Sequence, residues 1–185
     1  LEICKQFSNE LVNEKGNIIR CGPAPRFSDL EDVALSMAAE AEEIDSENWL
    51  FESKLKECQD LIPNLISRRQ FNDRRKAICN LCEQIRSRIA NHIDGGEDYF
   101  CIDSKPIEVC RLARGKRCKM GRNADFATAP DIGYCASQGV YYFGYKLHAL
   151  CGLSGVIHSY DLSKASVHDI NYLKDIKPLY HDCSI

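Results

Sequence analysis

Apolar positions recur along this chain at two different spacings, and the change of period falls near residue 97. Ser28 stands three residues before Glu31 and opens a run with Leu30, Val33, Ala34, Met37 and Ala41 at helical spacing, which is a capping-box helix start. A shorter helix is predicted around Trp49, Leu50, Phe51 and Leu55, ended by Ile62-Pro63-Asn64. Ser67 with Gln70 forms a second capping box, and Phe71, Ile78, Leu81, Cys82, Ile85 and Ile89 keep one apolar stripe, predicting a single helix of about six turns. Residues 27–93 therefore read as an all-helical module. The segment before it, 1–26, is poorly defined and is punctuated by Gly22-Pro23-Ala24-Pro25. Asp94-Gly95-Gly96-Glu97 makes a poor helix and a good turn, and separates the module from the C-terminal half of the chain.

Beyond the turn the pattern becomes strand-like. Tyr99–Ile102 is a short apolar run of the kind buried on both faces of a sheet, with Asp103 at its end. Residues 111–140 form a basic, glycine-containing connection without clear period. Tyr141–Leu150 reads as an aromatic-rich strand, Cys151-Gly152-Leu153-Ser154-Gly155 as a turn and Val156–Leu162 as the return strand of an antiparallel hairpin. Ser166 lies three residues before Asp169, and Ile170, Leu173 and Ile176 share a helical face before Pro178. Cys183-Ser184-Ile185 looks like the opening of another strand. Strand, hairpin, helix, strand over 98–185 is the opening order of a ribonuclease-H-like α/β fold, in which a crossover helix leads to a fourth strand parallel to the first.

Composition narrows the setting. A chain of 185 residues has room for a small helical module and part of a second domain. There is no run of eighteen or more apolar residues and no basic-then-apolar leader, so the expectation is a cytoplasmic protein with no membrane partner. The cysteines number eleven, an odd count without a secretory signal, and point to reduced thiols. The formal net charge of −3 conceals an uneven distribution. Phe27–Pro63 carries eleven acidic residues against Lys54 and Lys56, a stretch that repels phosphate. Asn64–Asn91 carries Arg68, Arg69, Arg74, Arg75, Lys76, Arg86 and Arg88 against Asp73 and Glu83. Arg111, Arg114, Lys116, Arg117, Lys119 and Arg122 come next with no acid among them, a segment suited to a polyanion.

Three motifs in order carry a resemblance: Cys101-Ile102-Asp103-Ser104-Lys105-Pro106-Ile107, Tyr142-Phe143-Gly144-Tyr145-Lys146-Leu147-His148, and Ala165-Ser166-Val167-His168-Asp169. Together they resemble DDE transposases of bacterial insertion sequences, and within these the group numbered nine-eight-two. The likeness covers roughly 27–185 and is strongest over 99–170. It implies the N-terminal part of a transposase, a helical module followed by the first half of a ribonuclease-H-like DDE domain. Asp103 matches the first acid of the catalytic triad and is the implied metal ligand. The second Asp and the Glu are expected beyond Ile185; Asp182 precedes the last strand rather than ending it and is not taken as the second ligand. The implied reaction is hydrolysis of a DNA phosphodiester followed by strand transfer, served by two Mg²⁺ ions held by hard oxygen ligands. Asp103 alone would hold metal weakly, so residues 1–185 by themselves are expected to be inactive. DNA at transposon ends and target is the implied partner, with a homo-oligomer when full length. The implied DNA contacts are Arg111, Arg114, Lys116, Arg117, Lys119, Arg122 and Lys146, with Arg68, Arg69, Arg74 and Arg75 on the helical module.

Each assignment has a plainer rival. Asp103 at a strand end also suits a cap of the turn before Pro106. Asp169 in a first helical turn favours the helix dipole, and His148 and His168 suit packed or hydrogen-bonded structural roles. Basic residues on a helix normally coat its exposed face. Cys79 and Cys82 share a helix face, yet a structural zinc needs four ligands, and Cys101, Cys110 and Cys118 make no second close pair in sequence, so packing is the expectation. The competing whole-chain readings are a truncated, non-enzymatic DNA-binding remnant and a cysteine-based zinc-binding regulator.

Overall fold

The computed structural model describes residues 1–120, 128–178, 180, 183 and 184. The chain divides into two compact units, Leu1–Ile89 and Ala90–Ile185.

The first unit is helical. Its elements are α1 (Glu2–Phe7), α2 (Asp29–Ala41), α3 (Glu47–Trp49), which passes through one π-helical turn (Leu50–Lys54) into α4 (Leu55–Glu57), α5 (Arg68–Ala77) and α6 (Cys79–Ile93). Both predicted capping boxes form: the Ser28 hydroxyl accepts the Glu31 N–H and the Ser67 hydroxyl accepts the Gln70 N–H, each with the reciprocal bond. The expected single helix after Ser67 is instead two. Ile78 leaves helical geometry at φ −107° and ψ 16°, while its N–H still bonds the Arg74 carbonyl. The break lets Phe71 and Ile78 both reach full burial. Cys4, Leu30, Val33, Ile78, Leu81 and Ile85 form the core, with Phe7, Leu11, Val12 and Ile18 packed against it. The segment before residue 27 thus supplies core side chains, each fully buried aliphatic group contributing about 1.5–3 kcal/mol. Cys82 is half-buried on the same core and Cys79 is exposed.

Two acids are sealed into this unit. Asp29 is paired with Arg20, and its Oδ2 also accepts the Ile18 N–H at 2.9 Å. Asp32 is fully buried, and neither carboxylate oxygen has a hydrogen-bond partner among the described residues. Burial pushes the Asp32 carboxyl up to about 7, with Arg74 and Arg75 opposing and Asp29 reinforcing the rise.

The second unit is a four-stranded antiparallel sheet with one helix on it: β1 (Phe100–Cys110), β2 (Asp131–Cys135), β3 (Val140–Gly152), β4 (Ile157–Lys164) and α7 (Asp169–Ile176). β3 is the centre. One edge pairs with β1 from Phe143 to Gly152; the other is shared, β2 taking Val140–Gly144 and β4 taking Tyr145–Cys151. The predicted hairpin is the β3–β4 pair, turning at Gly155 with φ +83°, a left-handed conformation that glycine adopts without strain. Ser184 bridges Tyr99 in parallel, its carbonyl accepting the Phe100 N–H at 2.8 Å, so the chain after α7 returns alongside the start of β1. Phe100, Leu150, Tyr172 and Ile176 form the core between sheet and helix.

Three expectations change here. β1 is eleven residues long and alternates in burial rather than being covered on both faces, so Asp103 lies within the strand and not at its end. The connection after Cys110 is not featureless: it holds a 3-10 helix, Leu112–Arg117, and β2. β2 escaped notice because it has five residues, one of them Gly133, whose added Cβ would meet the Ala165 carbonyl oxygen at 2.4 Å. The cap of α7 is His168, whose ring accepts the Ile170 N–H, while Ser166 bonds Asp131 instead.

The buried acid gives a pH signature. Below about pH 4 Asp32 is protonated in both folded and unfolded chains; between about 4 and 7 only the unfolded chain ionises, so stability of the helical unit falls across that window and stays lower above it. Asp32→Asn is expected to flatten this dependence and to stabilise the unit at pH 8 by on the order of a few kcal/mol. Urea unfolding followed by the fluorescence of Trp49 at pH 5 and pH 8 measures both effects, and a wild-type protein more stable at pH 8 than at pH 5 would refute the assignment.

Candidate functional site

Side chains at alternate positions of a strand point to one face, and pairing carries that face across the sheet. Ser104, His148 and Asp161 are register partners along one line, and Asp103, Ala149 and Tyr160 along the next. The first line faces α7; the second faces away from it.

On the α7 face the second and third sequence motifs converge. Lys146 Nζ lies 3.1 Å from Asp169 Oδ1 and donates to the Val167 carbonyl at 3.0 Å. His148 is 1% exposed, stacks on Tyr172 with ring centroids 5.0 Å apart, and holds the Ser163 hydroxyl at 2.7 Å through Nε2. Its Nδ1 is 3.6 Å from the same Asp169 oxygen. Burial lowers the His148 pKa, with the Asp169 charge opposing, so the ring is neutral near pH 7. Burial alone would raise the Asp169 carboxyl, but the Lys146 hydrogen bond and charge, with help from Ser104 and His148, bring it below its ordinary value. Asp131 at the start of β2 accepts both the Ser166 N–H at 3.0 Å and the Ser166 hydroxyl at 2.5 Å, and pairs with Lys164 at 3.5 Å. A cavity of about 200 Å³ adjoins this network, bounded by Ser104, Pro106, Tyr134, Tyr142, Lys146 and Asp169.

The structure separates the sequence-predicted residues into distinct groups. Asp103 is exposed, and its Oδ1 accepts the Ser104 N–H at 2.7 Å. It shares its face with Lys105 and exposed Tyr160, not with Asp161 or Asp169, which belong to the opposite face. Lys146 is paired with Asp169 and donates to the Val167 carbonyl, with its side chain 16% exposed. Arg111, Arg114, Lys116, Arg117 and Lys119 are all exposed along and after the 3-10 helix, whereas Arg122 lies outside the described residues, as does Asp182. On the helical unit Arg74 donates to the Phe27 carbonyl and lies over the Phe27 ring, and Arg75 pairs with Glu47 at 3.1 Å. Arg68 and Arg69 are exposed, with Arg69 reaching Asp73 only at 3.9 Å.

A two-ion Mg²⁺ site wants several converging carboxylates. Among the described residues no group of three or more His, Cys, Asp or Glu is arranged to hold a metal, and Asp103 brings one carboxylate alone. The residues described therefore do not make up such a site by themselves. What sequence reasoning missed is the Lys146–Asp169–His148–Ser163 network. Its signal was present: positions 146 and 148 share a strand face, and an acid in the first turn of the next helix is placed to meet them.

Because Asp169 gathers Lys146 and His148, Asp169→Asn is expected to loosen α7 and leave the sheet intact. Amide exchange checks this: protection across 170–176 falls while Leu147–Leu150 keep theirs. In the wild type the same loosening appears as pH drops through the lowered Asp169 pKa, since a depressed carboxylate stabilises above its unfolded value and ceases to on protonation. Equal protection of α7 in wild type and variant would remove the network's structural role.

The comparison with curated proteins and that with solved structures gave no match. Among the described residues no helix is long and apolar enough to cross a membrane. Residues 94–182, which span the sheet, α7 and all three sequence motifs, are similar to the transposase DDE domain, whose family model they match.

Proposed function

We propose that this chain is the N-terminal part of an insertion-sequence transposase, of the group numbered nine-eight-two, whose residues 98–185 begin a ribonuclease-H-like catalytic domain. Asp103 supplies the first of three acids, and the second Asp and the Glu lie beyond Ile185 in a longer protein. The observation that carries this reading is the DDE-domain match over residues 94–182 with Asp103 on β1 inside it. The parallel bridge between Ser184 and Tyr99 supports it, because a crossover after α7 brings the chain beside β1, where a further acid would approach Asp103. Mg²⁺ is the expected ion, since hard oxygen donors suit it. With one acid in hand, residues 1–185 alone are inactive. The full-length protein acts as a homo-oligomer in the cytoplasm.

DNA contact is assigned to the exposed basic stretch Arg111, Arg114, Lys116, Arg117 and Lys119, with Arg122 beside it in sequence and Arg68 and Arg69 on the helical unit. Such groups neutralise phosphates without reading bases, so affinity falls with salt. The second reading, a non-enzymatic DNA-binding remnant, shares this surface and differs only in lacking chemistry.

One measurement tests the shared surface and a second separates the readings. Duplex DNA bound by residues 1–185 across a salt series is expected to show a log–log slope that becomes shallower by about one for each of Arg114→Ala and Arg117→Ala. A slope unchanged by both would remove the loop from the interface. The reading frame continued past Ile185 is expected to cleave transposon-end DNA with Mg²⁺ and to lose at least about 100-fold in rate in Asp103→Ala; equal activity in both proteins would overturn the role of Asp103, and absence of cleavage in either would favour the remnant.

A further inference from the structure

Pairing of β2 with β3 sets Tyr134 directly opposite Tyr141. The two rings meet at a centroid separation of 4.9 Å and an interplanar angle of 50°, yet Tyr134 is 52% and Tyr141 64% exposed. Ile132, also exposed, extends the open patch along β2 on the same strand face. Side-chain alternation puts Phe143 on that face too, two positions from Tyr141, and Phe143 is where the 3-10 helix Leu112–Arg117 lands. A Cβ added to buried Gly115 would meet the Phe143 ring at 2.7 Å, so the bare backbone there lets the helix lie close against the sheet beside the tyrosines. Arg111, Arg114, Lys116, Arg117 and Lys119 are exposed on and around the helix, and no acid occurs between Val109 and Met120. Farther along, the same face carries Asp103. Its partner Ala149 is eight positions from Tyr141 on β3, about 27 Å at the rise of an extended strand.

We propose that Tyr134 and Tyr141 form a stacking platform for the unpaired bases of a DNA strand whose phosphates are held by the basic helix beside them. The proposal rests on the reading of this chain as a DNA-handling protein and adds which form of DNA the surface takes. An exposed tyrosine offers a ring to any base, whereas the bases of an intact duplex are already stacked on one another and paired. Open aromatic rings next to phosphate-binding charge therefore suit a strand that is single or splayed, and suit it without regard to sequence. Charge also argues against a second copy of this chain as the occupant. A two-fold contact uses the same patch on both partners, so it sets one basic helix toward the other, like charge against like. The separation from Asp103 makes the role one of position: the platform orders bases some way along the strand and takes no part in chemistry at the reacting phosphate.

The test uses residues 1–185 and three probes: single-stranded DNA of about 15 nucleotides, an abasic strand of the same length that keeps the phosphates and lacks the bases, and a duplex. Wild type is expected to bind the base-bearing strand roughly tenfold more tightly than the abasic one. Tyr141→Leu, which keeps apolar bulk against Tyr134 but has no ring, is expected to lose most of that margin with its salt slope unchanged. Tyr141→Phe keeps the margin, and Tyr134→Leu reduces it. Arg114→Ala weakens both strands alike and makes the salt slope shallower. Equal binding of the two strands by wild type, with Arg114→Ala still weakening both, overturns the platform and leaves the phosphate contacts standing. No binding of any probe by folded wild type overturns the DNA reading along with it. Unchanged strand binding in Tyr141→Leu, with a dimer of the wild type lost in sedimentation, gives the tyrosines to a second copy and also overturns the proposal.

Discussion

The backbone hydrogen bonds along both edges of β3 are the constraint on which the second unit depends. A central strand must satisfy its amides and carbonyls on two sides, and β3 does so by an unequal division: β1 covers one edge, while β2 and β4 divide the other at Gly144 and Tyr145. Gly144 marks the handover, and only a residue without a Cβ fits there, because an added one would come 2.0 Å from the Ile107 carbonyl oxygen. The Gly144 carbonyl also accepts the Ala165 N–H, so the same residue ties the exit of β4 to the sheet. Pro106 fits β1 for a related reason. It has no N–H to give and belongs where a strand's outer edge is left unpaired, and among the described residues the parallel bridge on that side is at the Tyr99 end.

With β3 fixed, the polar network on the α7 face is determined. Lys146 and His148 are placed two residues apart on one strand face, and α7 is held where its first-turn acid can meet both. A half-buried lysine and a buried histidine beneath a helix would be costly alone. Asp169 offsets the lysine's cost with charge, the Val167 carbonyl accepts from the ammonium, the Ser163 hydroxyl meets His148 Nε2, and Tyr172 covers the imidazole. The motif residues around Lys146, His148 and Asp169 thus fix how the helix meets the sheet.

Most of the regular structure was readable from the sequence where local chemistry decided it. Ser28–Glu31 and Ser67–Gln70 cap helices because hydroxyl and acceptor sit at the spacing a first turn requires. The β3–β4 hairpin announced itself by aromatic and β-branched residues around a glycine turn. What was not readable depended on partners remote in sequence. β2 is short and exists because Val140–Gly144 offers an edge. The break at Ile78 serves a core assembled with α1 and α2, which no stripe on one helix reports. The candidate site divided similarly: the motifs singled out Asp103 and Lys146 alike, but which face of the sheet each lies on is set by strand pairing, and Lys146 lies on the α7 face.

The orientation of Asp103 is set by its strand neighbours, and its Oδ1 accepts the adjacent Ser104 N–H. Phe100 and Ile102 pack into the core beneath α7, and Ser104 faces Asp169 on the same side. Because successive strand side chains alternate, those inward residues force Cys101, Asp103 and Lys105 to the other face. A one-residue slip would bury the carboxylate and expose Phe100, and the bulge between Glu108 and Cys110 confines irregularity to the far end of the strand. Substitutions that loosen the packing of Phe100 or Ile102 should therefore disturb the acid's direction as surely as changes beside it. The aromatic contacts of Phe100 with His158 and Tyr180, at centroid distances of 5.1 and 5.3 Å, secure that packing at the strand's start. The direction of Asp103 is thus secured from the opposite face of the sheet.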